Sequence, residues 1–68
     1  MLELLKKKIQ EFDARRDRFH YLLGRFELYQ SLNPEQAEAY LLRARLHEKK
    51  LEETMVEITR MKERLQHG

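Results

Sequence analysis

The sequence predicts an all-α fold: an antiparallel two-helix hairpin of coiled-coil type that completes a four-helix bundle by dimerisation or by docking on a partner. Three observations predict it. Charged residues make up 38% of the 68-residue chain while Gly and Pro together number three. Such a mixture, rich in Leu, Glu, Lys, Arg and Ala, suits long helices rather than sheet. Apolar residues recur at alternating steps of three and four on both sides of residue 33, which is the coiled-coil pattern. A single strong break, Leu32-Asn33-Pro34-Glu35-Gln36, separates the two stretches.

The first element spans about residues 2–31. Leu2, Leu5, Ile9, Phe12, Arg16, Phe19, Leu23 and Phe26 form its stripe. The turn falls at about 31–33. Proline disfavours helical geometry at the residue before it, so Asn33 is expected to be extended. Asn is a leading N-cap, Pro fits the first helical position, and Gln36 three residues on completes a capping-box pattern. The second element spans about 34–66, with Ala37, Tyr40, Ala44, His47, Leu51, Met55, Ile58 and Leu65 on one stripe. Each helix is roughly 45 Å long, and so short a connection forces them antiparallel. Facing residues should then have numbers summing to about 66, which sets Leu2 against Leu65, Ile9 against Ile58, Phe12 against Met55 and Leu23 against Ala44.

All 68 residues form one small domain, and a chain below roughly 70–80 residues usually needs a staple or a partner. There is no cysteine, which excludes disulfides and thiolate metal sites and fits a reducing compartment. The net charge is +2, with seven basic and five acidic groups before residue 33 and seven of each after it. Along the chain the two signs alternate rather than separate, which argues against a dedicated polyanion binder. No apolar run approaches the roughly 20 residues of a membrane span, and the opening MLELLKKKIQ is not a secretion signal. A soluble, cytoplasmic protein with no membrane role is the expectation.

The half nearest the turn gathers apolar residues. Five of the six aromatics lie between residues 19 and 40. Tyr21, Leu28 and Leu32 fall behind the first stripe, and Ala39, Leu42 and Leu46 behind the second. A hairpin cannot bury both its sides by itself. The expected partner-binding surface is therefore Tyr21, Leu22, Leu28, Tyr29, Leu32, Ala39, Leu42 and Leu46, and the expected partner is protein: a second copy, a larger helical partner, or both.

Other side chains carry narrower readings. Arg16 occupies a stripe position, and a link to Glu48 or Glu52 would set register as buried polar residues do in coiled coils. His20 and His47 have numbers summing to 67 and could share a metal or a pH switch, with Glu48 as a distant third ligand; two partly buried helix-edge histidines are the plainer reading, and no metal or cofactor is expected. Lys7, Lys8, Arg15 and Arg18 are the residues for a nucleic-acid reading. Glu3, Glu11, Asp13 and Asp17 interrupt them, and no aromatic is interleaved with exposed basic groups for stacking. Gly24 inside the first helix costs about 1 kcal/mol against alanine; close approach of a partner helix and a slight bend both explain it.

No glycine-rich phosphate loop or nucleophile set is visible, so an enzyme is not expected. The favoured function is a non-catalytic interaction module: a small adaptor, regulator or co-chaperone. The rivals are a small RNA/DNA-binding helical bundle and a coiled-coil fragment of a larger structural protein. The Pro34-Glu35-Gln36 helix start, with the periodicity, resembles the subunits that assist needle-protein chaperones in type III secretion, and that likeness implies a co-chaperone.

Overall fold

A computed structural model of the chain describes residues 2–67. Two helices account for nearly all of them: α1 runs Leu2–Leu32 and α2 runs Pro34–His67. Asn33 alone joins them. Its side chain accepts a hydrogen bond from the Gln36 N–H at 3.3 Å, the expected N-cap. The reciprocal bond from Gln36 does not form. The Asn33 N–H it would need already donates to the Tyr29 carbonyl at 2.8 Å, because α1 stays helical to Leu32.

The hairpin is a rod of 53 × 15 × 11 Å with a radius of gyration of 15.6 Å. A compact domain of this length would measure about 11 Å. So thin a body has little interior. Six side chains are buried: Leu5, Leu22, Ala37, Ala44, Ile58 and Met61. Leu5, Ile58 and Met61 form a core at the open end, with Ile9 and Phe12 packed against it.

The seam is read from burial. On α1 it comprises Leu5, Lys8, Phe12, Arg15, Phe19, Leu22, Phe26 and Tyr29. On α2 it comprises Ala37, Tyr40, Ala44, His47, Leu51, Thr54, Ile58 and Met61. All are buried or half-buried, and opposite members have numbers summing to 66. This places Leu22 level with Ala44 and Tyr29 level with Ala37, large against small. Tyr29 also stacks on Tyr40 with ring centroids 5.6 Å apart.

The burial pattern agrees with the expected pairing sum, and the expected stripe is kept at Leu5, Phe12, Phe19 and Phe26 of α1 and at Ala37, Tyr40, Ala44, His47, Leu51 and Ile58 of α2, but at alternate positions of α1 it shifts by one residue. Where Ile9, Arg16 and Leu23 were expected, the seam uses Lys8, Arg15 and Leu22. One residue is a 100° step around a helix. Lys and Arg can occupy such positions because their stems bury while their heads reach water. Leu2 and Leu65 are 57% and 40% exposed, so that expected terminal pair is not a buried layer. On α2 half-buried Thr54 replaces Met55, and its hydroxyl is satisfied by donating to the Lys50 carbonyl at 2.8 Å.

Candidate functional site

The shifted seam gives the hairpin two unlike sides. Ile9, Leu23 and Met55 are displaced to one flank, where Leu41 also lies, beside the half-buried Phe12, Phe19, Phe26 and Leu51. Together with Leu2 and Leu65 they make an apolar side running the length of the rod. Phe12, Leu51, Glu52, Met55 and Val56 line a shallow groove of about 450 Å³ on it. The charged residues set among these apolar positions are Arg16, Glu48, Glu52 and Lys62.

The other flank is basic. Stepping round the helices at 100° places Lys7, Lys8, Arg15, Arg18 and Arg25 of α1 there, with Arg43, Lys50, Arg60 and Arg64 of α2. These are nine of the 14 Lys and Arg residues of the chain. Only Glu11, Glu53 and Glu57, three of its 12 acidic residues, accompany them. Three grooves follow one another along this side. One lies between Lys8 and the Arg60–Arg64 pair, one between Arg15, Arg18 and His47, and one between Arg15, Lys49 and Lys50. The expectation that the two signs do not separate fails in three dimensions. Alternation along a helix is compatible with segregation around it, since Lys6 faces away from Lys7 and Lys8, and Arg16 away from Arg15.

One aromatic is also interleaved with this basic surface, against expectation. Tyr21 is 50% exposed. The guanidinium carbons of Arg18 and Arg25 lie 5.8 and 5.3 Å from its ring centroid. Arg25 Nε donates to the Tyr21 hydroxyl at 3.2 Å, and that hydrogen bond raises the Arg25 pKa further above its ordinary value. The missed signal was the spacing 18–21–25, which stacks three side chains on one helical face.

The remaining expected site residues fall as follows. Leu22 is buried at 3% exposure and cannot meet a partner. Tyr29 is half-buried and committed to Tyr40. Leu28, Leu32, Leu42 and Leu46 are exposed at 52–70%, and Ala39 is exposed. Exposed apolar residues are not confined to the turn half, because Leu2, Leu4, Met55, Val56 and Leu65 lie at the open end.

Arg16 does not reach Glu48 or Glu52. It pairs with Asp13 at 3.4 Å. The interhelical ion pair among the described residues is Lys8–Glu57, at 2.9 Å. His20 is exposed and tilts against Phe19 with ring centroids 5.8 Å apart. His47 lies half-buried on the seam beside Arg15, and its Nδ1 is buried with no hydrogen-bond partner. The two imidazoles are on different flanks. Among the described residues no group of three His, Cys, Asp or Glu side chains is placed to hold a metal ion, and no helix is long and apolar enough to cross a membrane. The expected nucleic-acid residues divide: Lys7 and Arg18 are exposed, Lys8 is engaged by Glu57, and Arg15 is half-buried on the seam. No protein-family profile, curated protein or solved structure matches the chain.

Proposed function

We propose that the protein is a non-catalytic interaction module whose apolar side receives a second copy of the chain, so that two hairpins form a four-helix bundle. The observation that carries this reading is the apolar side itself: outside the seam, Leu23 and Leu41 are half-buried there and Leu2, Met55, Val56 and Leu65 are exposed, beside a seam that buries only six of the described residues.

The surface area supports a second copy. The chain exposes 5552 Å². A compact monomer of 8.4 kDa would expose about 4,600 Å². The excess, roughly 950 Å², is close to the ~800 Å² that each partner contributes to a standard interface. Two rods laid side by side remove the kind of excess that thinness creates. A second hairpin also offers the same length and the same apolar period, so no other protein has to be shaped to fit.

Light scattering across a range of chain concentrations tests the proposal, with Met55→Asp as the comparison. Met55 is 46% exposed and outside the seam, so the substitution leaves the hairpin intact. The expected result is a dimer for the natural chain and a helical monomer for the variant. A monomer that aggregates or binds an apolar dye, and loses both properties on Met55→Asp, would assign the apolar side to a different protein. A well-behaved monomer indifferent to Met55→Asp would sink the interaction reading altogether.

A further inference from the structure

We propose that the basic flank of the hairpin binds the phosphodiester backbone of a nucleic-acid duplex. The inference stands apart from self-association, because pairing through the apolar sides leaves both basic flanks facing outward. Three features of the flank carry it: charge excess, continuity and chemistry.

The excess is nine cations against three carboxylates on one side of a chain whose net charge is only +2. Charges on the far side are largely screened, since the Debye length is about 8 Å at physiological salt. A polyanion therefore meets the local surplus rather than the chain average. Continuity comes from the three grooves, which carry cations from Arg60 and Arg64 at the open end to Arg15 and Arg18 at mid-length. Arg25 and Arg43 extend them toward the turn. The rod is 53 Å long, and a duplex presents one charge per ~1.7 Å of axis, so several phosphates meet this side at once.

The chemistry favours phosphates. Most of these cations are arginines, whose planar fork grips a phosphate with two hydrogen bonds. The one exposed ring on the flank, Tyr21, is held between two of them and can hydrogen-bond a backbone oxygen. A single ring is too few for the stacking platforms that single strands require, and a straight rigid rod matches a duplex. Exposed Leu4 and Leu46 also line these grooves, so an anionic membrane surface is the rival that the vesicle arm of the test separates from a duplex.

The test is fluorescence anisotropy of labelled duplexes of about 20 base pairs, one RNA and one DNA, titrated with the full chain. The expected result is binding of at least one duplex at low salt. Neutralising about five phosphates of the DNA weakens affinity roughly 500-fold between about 50 and about 200 mM salt. The tighter duplex identifies the preferred backbone. Arg60→Glu with Arg64→Glu should weaken binding at least about tenfold, as should Arg18→Glu with Arg25→Glu. Lys6→Glu with Arg45→Glu, the same charge change on the other side, should change it less than about twofold. Circular dichroism of each variant separates lost binding from lost helix, and the exposed Arg60–Arg64 pair serves if the Tyr21 cluster proves structural. The proposal is overturned by no binding of either duplex at low salt. Equal loss from the two sides, or binding of phosphatidylserine vesicles but of neither duplex, overturns it as well.

Discussion

Lys8 and Glu57 join the two helices at the open end of the hairpin through a 2.9 Å ion pair. Lys8 is a seam position filled by a cation, and its head leaves the seam toward α2. Glu11 approaches the same ammonium at 3.9 Å. The pair sits beside the Leu5, Ile58 and Met61 core, so it marks the register that the core packs in.

The pair predicts a pH dependence with a definite sign. The hydrogen bond to Glu57 and then its charge hold the Lys8 pKa above its ordinary 10.5. A group whose folded pKa is raised stabilises fully below its unfolded value and loses that contribution as pH rises through the folded one. Melting temperatures of the natural chain and of Glu57→Gln should differ by a constant amount between about pH 8 and about pH 10, and converge above that. A gap that widens in strong alkali would contradict the assignment. The gap itself is small, since both side chains are substantially exposed.

At the turn, the prediction concerns Asn33. Its side-chain oxygen is the cap for the Gln36 N–H, and no described residue has a positive φ, so the turn needs no left-handed backbone. Asn33→Ala should cost about 1 kcal/mol and Asn33→Gly only a few tenths, read as shifts in urea midpoint. If both cost the same, the side-chain bond contributes nothing.

These local features were legible in the sequence because their chemistry is local. Asn33-Pro34 fixed the helix ends to within one residue, and the pairing sum of 66 followed from the short turn. Which side chains fill the alternate seam positions of α1 was not legible. Lys8 and Arg15 read as solvent positions, yet their methylene stems fill the seam. Leu22 and Tyr29 read as part of the partner-binding surface, yet they lie on the seam, level with Ala44 and Ala37. An error of one position set Ile9, Leu23 and Met55 on the seam and hid the separation of charge, since Lys6-Lys7-Lys8 and Arg15-Arg16 are each divided between flanks.

His47 carries a cost that substitution can remove. Its Nδ1 is buried without a partner, and such a group costs about 1–3 kcal/mol. His47→Leu has similar volume and no polar atom. It should raise stability by about 1 kcal/mol, or several degrees in melting temperature for a chain of this size. A drop in melting temperature would mean that the ring nitrogen has a partner in solution.

Gly24 predicts a second stabilising change for a different reason. It lies within α1 on the side away from α2, and a Cβ built on it meets nothing within 4 Å. Close approach within the hairpin therefore does not explain the glycine. Gly24→Ala should add about 0.5–1 kcal/mol by lowering the entropy lost on folding. A loss of stability together with a loss of the dimer would show that a second chain passes close to this position.

Arg16 and Glu48 give the sharpest test of how two hairpins meet. Both interrupt the apolar side. Arg16 has only its helix neighbour Asp13, at 3.4 Å and about half-exposed, and Glu48 joins no ion pair among the described residues. Both also lie near the middle of their helices, α1 over Leu2–Leu32 and α2 over Pro34–His67. Laying a second hairpin against the first with the turns at the same end sets α1 of each copy over α2 of the other and brings Arg16 of one copy level with Glu48 of the other, whereas turns at opposite ends would set Arg16 against Arg16. The register pair expected within one chain thus becomes a pair between chains, formed twice in a symmetric dimer. Arg16→Glu alone and Glu48→Arg alone should each weaken dimerisation about tenfold by setting like charges together. The double exchange should recover most of the loss, because opposite charges face each other again. Recovery is the decisive readout: single losses that simply add in the double variant would place Arg16 and Glu48 apart in the assembly.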